Sequence, residues 1–300
     1  MHAPIGVRPL CRWICVISGE QRLDEMVARV RSLPLSSDGA IESVIAACDD
    51  PRSGMQDIAT RIGREPGLAA VVLRQANSAH YAFGRRIETI PDAAVVLGLG
   101  TIRSLAITSA VLRLLAVDRD GLSQFRRQLL EHCVCVGLAS RILARRQDTA
   151  HPEKAFLSGT VHELGTVILT REARGEYLHV LAQARTRGVG FAEVEREVFG
   201  FDHAQLGARL AELWRFPPPI CDAILHQHDP VKARIERGLA ETLHVADWLV
   251  AEMGFGFVPF DHPAWPDKRA GDTFGLSEHN LAELQDEVRA SLDQWLVVAA

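Results

Sequence analysis

A chain of 300 residues, 47% apolar and 24% charged, has the balance of an ordinary globular protein and is long enough for two modest helical bodies. Its formal net charge of −5 argues against a large nucleic-acid surface, because phosphate binding needs a local excess of Lys and Arg and the arginines here are scattered among acids. No apolar run is read as approaching the roughly 18 residues that span a bilayer, so the expectation is a cytoplasmic protein with neither a membrane nor a nucleic-acid partner.

In chain order, the opening MHAPIGVRPLCRWICVISGEQRLDE has a short apolar stretch broken by Arg12 and no small-residue cleavage site. It reads as a lead-in over residues 1–29 rather than a signal peptide, with the only strand-like stretch at Trp13 to Ile17. Helical periodicity follows almost everywhere. Met55, Ile58, Ala59 and Ile62 recur at i, i+3, i+4, i+7, and Pro66 suits the first turn of a helix carrying Leu68, Val71, Val72 and Gln75, which Asn77-Ser78 breaks. Pro91-Asp92 opens a short helix ended by Gly98 and Gly100, and Thr101 can cap the apolar stretch Ile102 to Leu115. A long helix is expected from about Leu122 to Arg146, and another from Pro152 through His162 to near Thr170. Gly188 to Gly190 is a break before a helix over Phe191 to Val198, and Asp202 caps His203 to Trp214. Pro217 to Pro219 bends the chain into Ile220 to His228. Further helices are expected from Val231 to Met253 and from the Ser277 cap to about Val298. Gly254 to Gly275, rich in Gly, Pro and Asp, is a loop. The class is all-α: two packed helical subdomains over 30–118 and 119–253, with a loop and helix over 254–300.

The six cysteines, at positions 11, 15, 48, 133, 135 and 221, fit no zinc or redox spacing and read as reduced thiols packed like small apolar residues. Histidine is the informative residue type. His132, the pair His162-Glu163, His203, His226 and Asp247 all fall on expected helices or helix ends, and ligands projecting inward from several packed helices can build a site in a bundle. Imidazole nitrogen with carboxylate oxygen suits Zn, Mn or Fe, and such mixed sites assist phosphoester hydrolysis by activating water. His162-Glu163 is a polar pair in an apolar helix with Gly on both sides, so it needs partners: a metal, or one another. His228, beside Asp229 and Pro230, is read as facing solvent, and His2, His80, His151, His179, His262 and His279 as ordinary core or surface residues.

Across residues 30 to 250 the chain resembles the HDOD family, the HD-related output domain of bacterial signalling proteins. The resemblance lies in Glu65-Pro66-Gly67-Leu68, in Leu73 to Tyr81 (LRQANSAHY) and in Ile90 to Arg103 (IPDAAVVLGLGTIR). The later half is similar to the wider HD superfamily, including its HD-GYP phosphodiesterases. The similarity places His132 at the first metal histidine, His162-Glu163 at the HD dyad, His203 at the next histidine, His226-Gln227-His228 across the HHE segment and Asp247 at the final Asp. Four departures accompany it, one being that VKARIERGL follows His228-Asp229-Pro230 and no GYP motif appears. Glu163 replaces the dyad's Asp, with a longer arm expected to overshoot a bridging position. Thr166 stands for the Lys that usually follows the dyad in active enzymes, and Gln227 replaces the second His of HHE.

What the resemblance implies is a non-catalytic signalling output module that meets signalling proteins in trans through a helical surface. No cofactor is expected beyond a possible divalent Mn, Fe or Zn at a vestigial site of His132, His162, Glu163, His203, His226 and Asp247. Asn77, Ser78 and Tyr81 are either structural, Asn77 capping a helix end and Tyr81 packing across the halves, or part of the partner surface. Two alternatives stay open: a metal-dependent phosphohydrolase using the same six residues, and a sensor that binds a metal or nucleotide without turnover. The oligomeric state is open as well.

Overall fold

Helices form almost everything seen, and their ends fall where Gly, Pro and Asp stand in the chain. The computed structural model describes residues 18–31, 39–77, 86–115, 122–148, 150–256 and 273–299. In order these hold α1 (Gly19–Arg31), α2 (Ala40–Asp49), α3 (Met55–Gly63), α4 (Pro66–Ala76), α5 (Ile90–Leu115), α6 (Ser123–Gln147), α7 (Pro152–Val161) and α8 (Leu164–Glu172). They continue with α9 (Arg174–Arg187), α10 (Phe191–Phe199), α11 (His203–Leu213), α12 (Pro218–Leu225), α13 (Arg237–Val250) and α14 (Glu278–Ala299). The protein is all-α, with no strand among the described residues; the strand-like stretch Trp13 to Ile17 lies outside them.

The apolar spacing of α3 buries Ile58, Ala59 and Ile62, and that of α4 buries Leu68, Val72 and Gln75. These two pack with α2 onto α5, which also touches α6, α7 and α8 and so joins the earlier helices to the later ones. At the centre of the later half α6 is enclosed by α7, α13 and α14, and buries every residue from His132 to Ser140. Enclosure on all sides explains why Cys133 and Cys135, two residues apart, are both buried free thiols.

Several expectations change at this level. The segment read as a lead-in contains α1, which lies on α11, with Asp24 paired to Arg209 at 2.9 Å. The break expected at Gly98 and Gly100 is a kink at Gly98, whose φ of 75° suits only glycine, and the helix resumes directly through Thr101. Contrary to the sequence reading, Ile90–Ala110 is long and apolar enough to cross a membrane; 56% of that window is buried inside the protein, and this packing accounts for its composition. Instead of a helix from Val231, a short 3-10 turn at Pro230–Lys232 precedes α13, which begins at Arg237. The helix expected from Pro152 to Thr170 is broken at His162-Glu163 into α7 and α8.

The Asp202 cap is present as a complete capping box. Asp202 Oδ1 accepts from the Gln205 amide at 2.9 Å, Gln205 Oε1 accepts from the Asp202 amide at 3.0 Å, and Arg196 donates to Asp202 Oδ2 at 2.6 Å. Asp202→Ala is expected to cost about 1–2 kcal/mol of unfolding free energy in urea titration. An unchanged midpoint would mean that packing alone fixes the start of α11.

Candidate functional site

Two backbone contacts made by glycines set the geometry of the site. At the first, a Cβ on Gly159 of α7 would lie 2.7 Å from the Gly137 nitrogen, so α6 and α7 meet backbone to backbone. His132, five residues before Gly137, and His162, three after Gly159, then face each other with their Nε2 atoms 3.2 Å apart. At the second, a Cβ on Gly165 would overlap the His203 carbonyl, and the Gly207 Cβ position is 3.3 Å from the Gly165 nitrogen. This docks the start of α8 on α11 and brings Glu163 towards His203. Asp247, on the face of α13 that meets α6, completes the group.

His132 and His162 are held in one ring orientation. Each commits Nδ1 to a backbone carbonyl, His132 to Phe255 at 3.1 Å and His162 to Gly159 at 2.7 Å, so in the neutral ring the lone pair lies on Nε2. Around these Nε2 atoms stand Asp247 Oδ1, at 3.1 Å from His132 and 3.8 Å from His162, and Glu163 Oε1, at 3.7 Å from His162. Burial alone would raise the Asp247 carboxyl; hydrogen bonds from His132 and His162 reverse this and hold it well below the ordinary carboxylate range. Burial likewise opposes ionisation of Glu163, but His203, His162 and His132 draw its pKa down. Burial would lower His162, and its contact with Asp247, followed by the charge of Glu163, raises it.

A second imidazole pair adjoins the first through Glu163, whose Oε1 is 3.9 Å from His203 Nε2 and whose Oε2 accepts from Thr166 Oγ1. Glu195 of α10 accepts from both the backbone amide and Nδ1 of His203, at 2.8 and 2.6 Å, which turns His203 Nε2 towards His228 Nε2, 2.8 Å away. Glu195 and Glu163 outweigh burial and raise His203 well above an ordinary histidine. Desolvation of the ring, then the charge of His203, pushes His228 down to about 4, so the shared proton belongs to His203. His228 reaches the rim as a residue but turns its ring inward onto His203, whereas His162, His132, His203 and Glu163 are each buried.

Of the residues singled out in the sequence, His132, His162, Glu163, His203 and Asp247 are brought together. His226 is not: it closes α12 with its Nε2 turned to Asp222 at 3.6 Å. His228, read as solvent-facing, is exposed but keeps Nε2 on His203. Glu163 stands in the turn between α7 and α8, and its Oε1 lies between the imidazole pairs, 3.7 Å from His162 Nε2 and 3.9 Å from His203 Nε2. Asn77 caps α4 and ties it to the following chain, donating from Nδ2 to the Leu73 and Ile87 carbonyls and accepting the Ile87 amide at Oδ1, all within 2.8 Å. Ser78 and Tyr81 lie outside the described residues.

Sequence reasoning passed over Glu195 and His244. Glu195 was detectable as a charge in the apolar stripe Phe191, Val194, Phe199, and it is fully buried. His244 Nδ1 lies 2.7 Å from the Gln227 carbonyl and pins the 226–228 turn to α13, a contact between segments that no local pattern announces.

The donor set fits a divalent cation. Two imidazole Nε2 atoms and two carboxylates converge in a buried space, where the carboxylate charge is offset either by protons on the imidazoles or by a shared cation. Nitrogen and oxygen ligands of this kind match Mn, Fe or Zn. His132, His162 and Glu163 offer ligand atoms within 4.8 Å of one another, and Asp247 adds a fourth. Gln227 Oε1 and Glu195 Oε1 are further buried acceptors without a hydrogen-bond partner among the described residues.

The HDOD domain family model matches residues 33–230. Among curated proteins, an uncharacterized protein of Treponema pallidum (strain Nichols) is 26% identical over 185 residues, covering 61% of this chain and 35% of that protein, so the match spans about a third of the relative's length. A solved structure of a nominal phosphohydrolase from Shewanella amazonensis SB2B is 26% identical with a TM-score of 0.64, covering 93% of this chain and 97% of its own. An HDOD domain protein of unknown function from Geobacter sulfurreducens shares the fold at 24% identity and a TM-score of 0.60, covering 93% and 96%. So does a nominal signal transduction protein from Marinobacter aquaeolei VT8, at 22% identity and 0.63, covering 94% and 65%.

Proposed function

The chain belongs to the HDOD domain family, and on that premise we propose that it is a signal-transduction output module whose histidine and carboxylate cluster is a structural cation site with no hydrolytic turnover. The observation that carries the reading is the pairing of a metal-like donor set with near-complete enclosure. Asp247 is 8% exposed, and the other three convergent ligands less. A bound cation there would neutralise the converging lone pairs and clamp α6, the α7–α8 turn and α13 together. Water activation on a phosphoester needs an open ligand position facing substrate, and among the described residues the one exposed group touching the cluster is His228, whose Nε2 is already engaged with His203. Gln227, standing where the HD superfamily carries a second histidine, offers only an amide. Signalling proteins are the partners this reading implies, met through the helical surface.

A second reading, a metal-dependent phosphohydrolase, is favoured by one observation: Glu163 Oε1 stands between the two imidazole pairs, at 3.7 and 3.9 Å. The nominal activity of the Shewanella relative points the same way. In this reading the metal would supply Lewis acidity and an activated water, His132, His162, Glu163 and Asp247 would hold it, and the Glu195–His203 pair would hold a proton beside it.

Elemental analysis and turnover of protein purified without a histidine tag separate the two. The expected result is stoichiometric Mn, Fe or Zn that is lost in His162→Ala, with cleavage of bis(p-nitrophenyl) phosphate and of a cyclic dinucleotide no faster than in that variant. Metal-dependent turnover abolished by His162→Ala would overturn the output reading in favour of the hydrolase.

A further inference from the structure

Among the described residues five large apolar side chains are exposed, and three of them fall in one short segment of the later half. Leu225, Val231 and Ile235 are 41%, 56% and 57% exposed, all between positions 225 and 235. Leu225 and Ile235 flank a groove of about 310 Å³ with Phe216, Pro218 and Cys221. Exposed side chains gathered around a concave apolar surface are characteristic of an interaction site, whereas single exposed apolar residues need no explanation.

The charged lining is of one sign. Among the described residues, Glu212 and Asp222 are the carboxylates in the wall and no basic residue lines it. Asp222 is engaged, with Oδ2 accepting the Arg234 and Ile235 amides at 2.8 Å. Glu212, by contrast, is exposed and forms no ion pair among the described residues. Its carboxylate lies close enough to Cys221 that, after burial, it helps push that thiol up to about 11. An apolar trough with a free carboxylate at its edge complements an apolar side chain next to a cation.

We propose that this groove docks a partner protein's segment in which a large apolar side chain, filling the space between Leu225 and Ile235, is flanked by Lys or Arg that pairs with Glu212. The groove also shares structure with the cluster. Leu225 ends α12 immediately before the 226–228 turn, where His228 meets His203, and Asp222 ties the same helix to Arg234 and Ile235. The docking surface rests on the output reading for its purpose, not on the state of the metal site.

The test is selection of a random dodecapeptide display library on the full chain, followed by affinity measurement of the enriched peptides. The expected enrichment is for sequences joining Leu, Ile, Phe or Trp to Lys or Arg, with binding weakened about tenfold or more (~1.4 kcal/mol) by Leu225→Glu or Ile235→Glu. Selection on Glu212→Lys is expected to shift the enriched sequences towards acidic ones. Both apolar positions are exposed, so each variant should keep the wild-type melting temperature, and making them singly leaves a second if one unfolds. No enrichment, or binding indifferent to all three substitutions, would overturn the docking site while leaving the metal and turnover measurements to decide the output reading. Self-association seen by sedimentation and abolished by Ile235→Glu would also overturn it, assigning the groove to a second copy of this chain.

Discussion

Gly165→Ala is expected to be among the most damaging single-methyl additions in the protein, costing about 3 kcal/mol or more. A Cβ there overlaps the His203 carbonyl, and what stands in its way is backbone, which cannot swing aside as a side chain would. To make room α8 must move off α11, and the same movement draws Glu163 away from His203. The loss should lower the melting temperature by roughly 6–10 °C for a domain of this size and weaken metal retention at the same time. Gly175→Ala is the control: it sits in α9 with nothing within 4 Å of the added carbon, so it should be neutral or stabilising by up to about 0.5 kcal/mol. If both variants melt alike, the backbone contact between α8 and α11 is not what positions the dyad.

Asp247→Ala is expected to be comparably severe for an electrostatic reason. The Asp247 carboxylate stands against two buried imidazoles whose Nε2 atoms are 3.2 Å apart. Removing one partner from a buried ionic group costs about 3–5 kcal/mol, because the remaining groups stay desolvated without compensation. Asp229→Ala, which deletes the exposed partner of Lys232, should cost only about 0–1 kcal/mol. Chelator adds a second readout. A bound ion stabilises the folded state by mass action, so EDTA should lower the wild-type urea midpoint and leave that of Asp247→Ala unchanged. Equal effects of the two Asp substitutions would show that the cluster is solvated and carries no structural role.

Much of the helical framework was legible because it depends on short-range chemistry. The i, i+3, i+4 spacing of Ile58, Ala59 and Ile62, the Pro66 start and the Asp202 cap each act within one or two turns. For the same reason five of the six residues singled out, His132, His162, Glu163, His203 and Asp247, could be expected to meet in the interior, since polar groups inside apolar helices require partners. The choice between His226 and His228 was not legible. Which of two residues two positions apart reaches inward depends on how the chain leaves α12, where Asp222 accepts the amides of Arg234 and Ile235 and His244 holds the Gln227 carbonyl, contacts with segments well downstream.

By itself, then, the sequence determined the all-α class, most helix starts and the residue types that had to meet in the interior, because periodicity, caps and the cost of burying polar groups are local properties of the chain. Only the tertiary structure decided how they meet. It broke the expected long helix at His162-Glu163, folded the Glu163 carboxylate back between two imidazole pairs and recruited Glu195 and His228. Those outcomes depend on the close approach of α6 to α7 and of α8 to α11, and distances between remote backbones are set by packing that no single segment encodes.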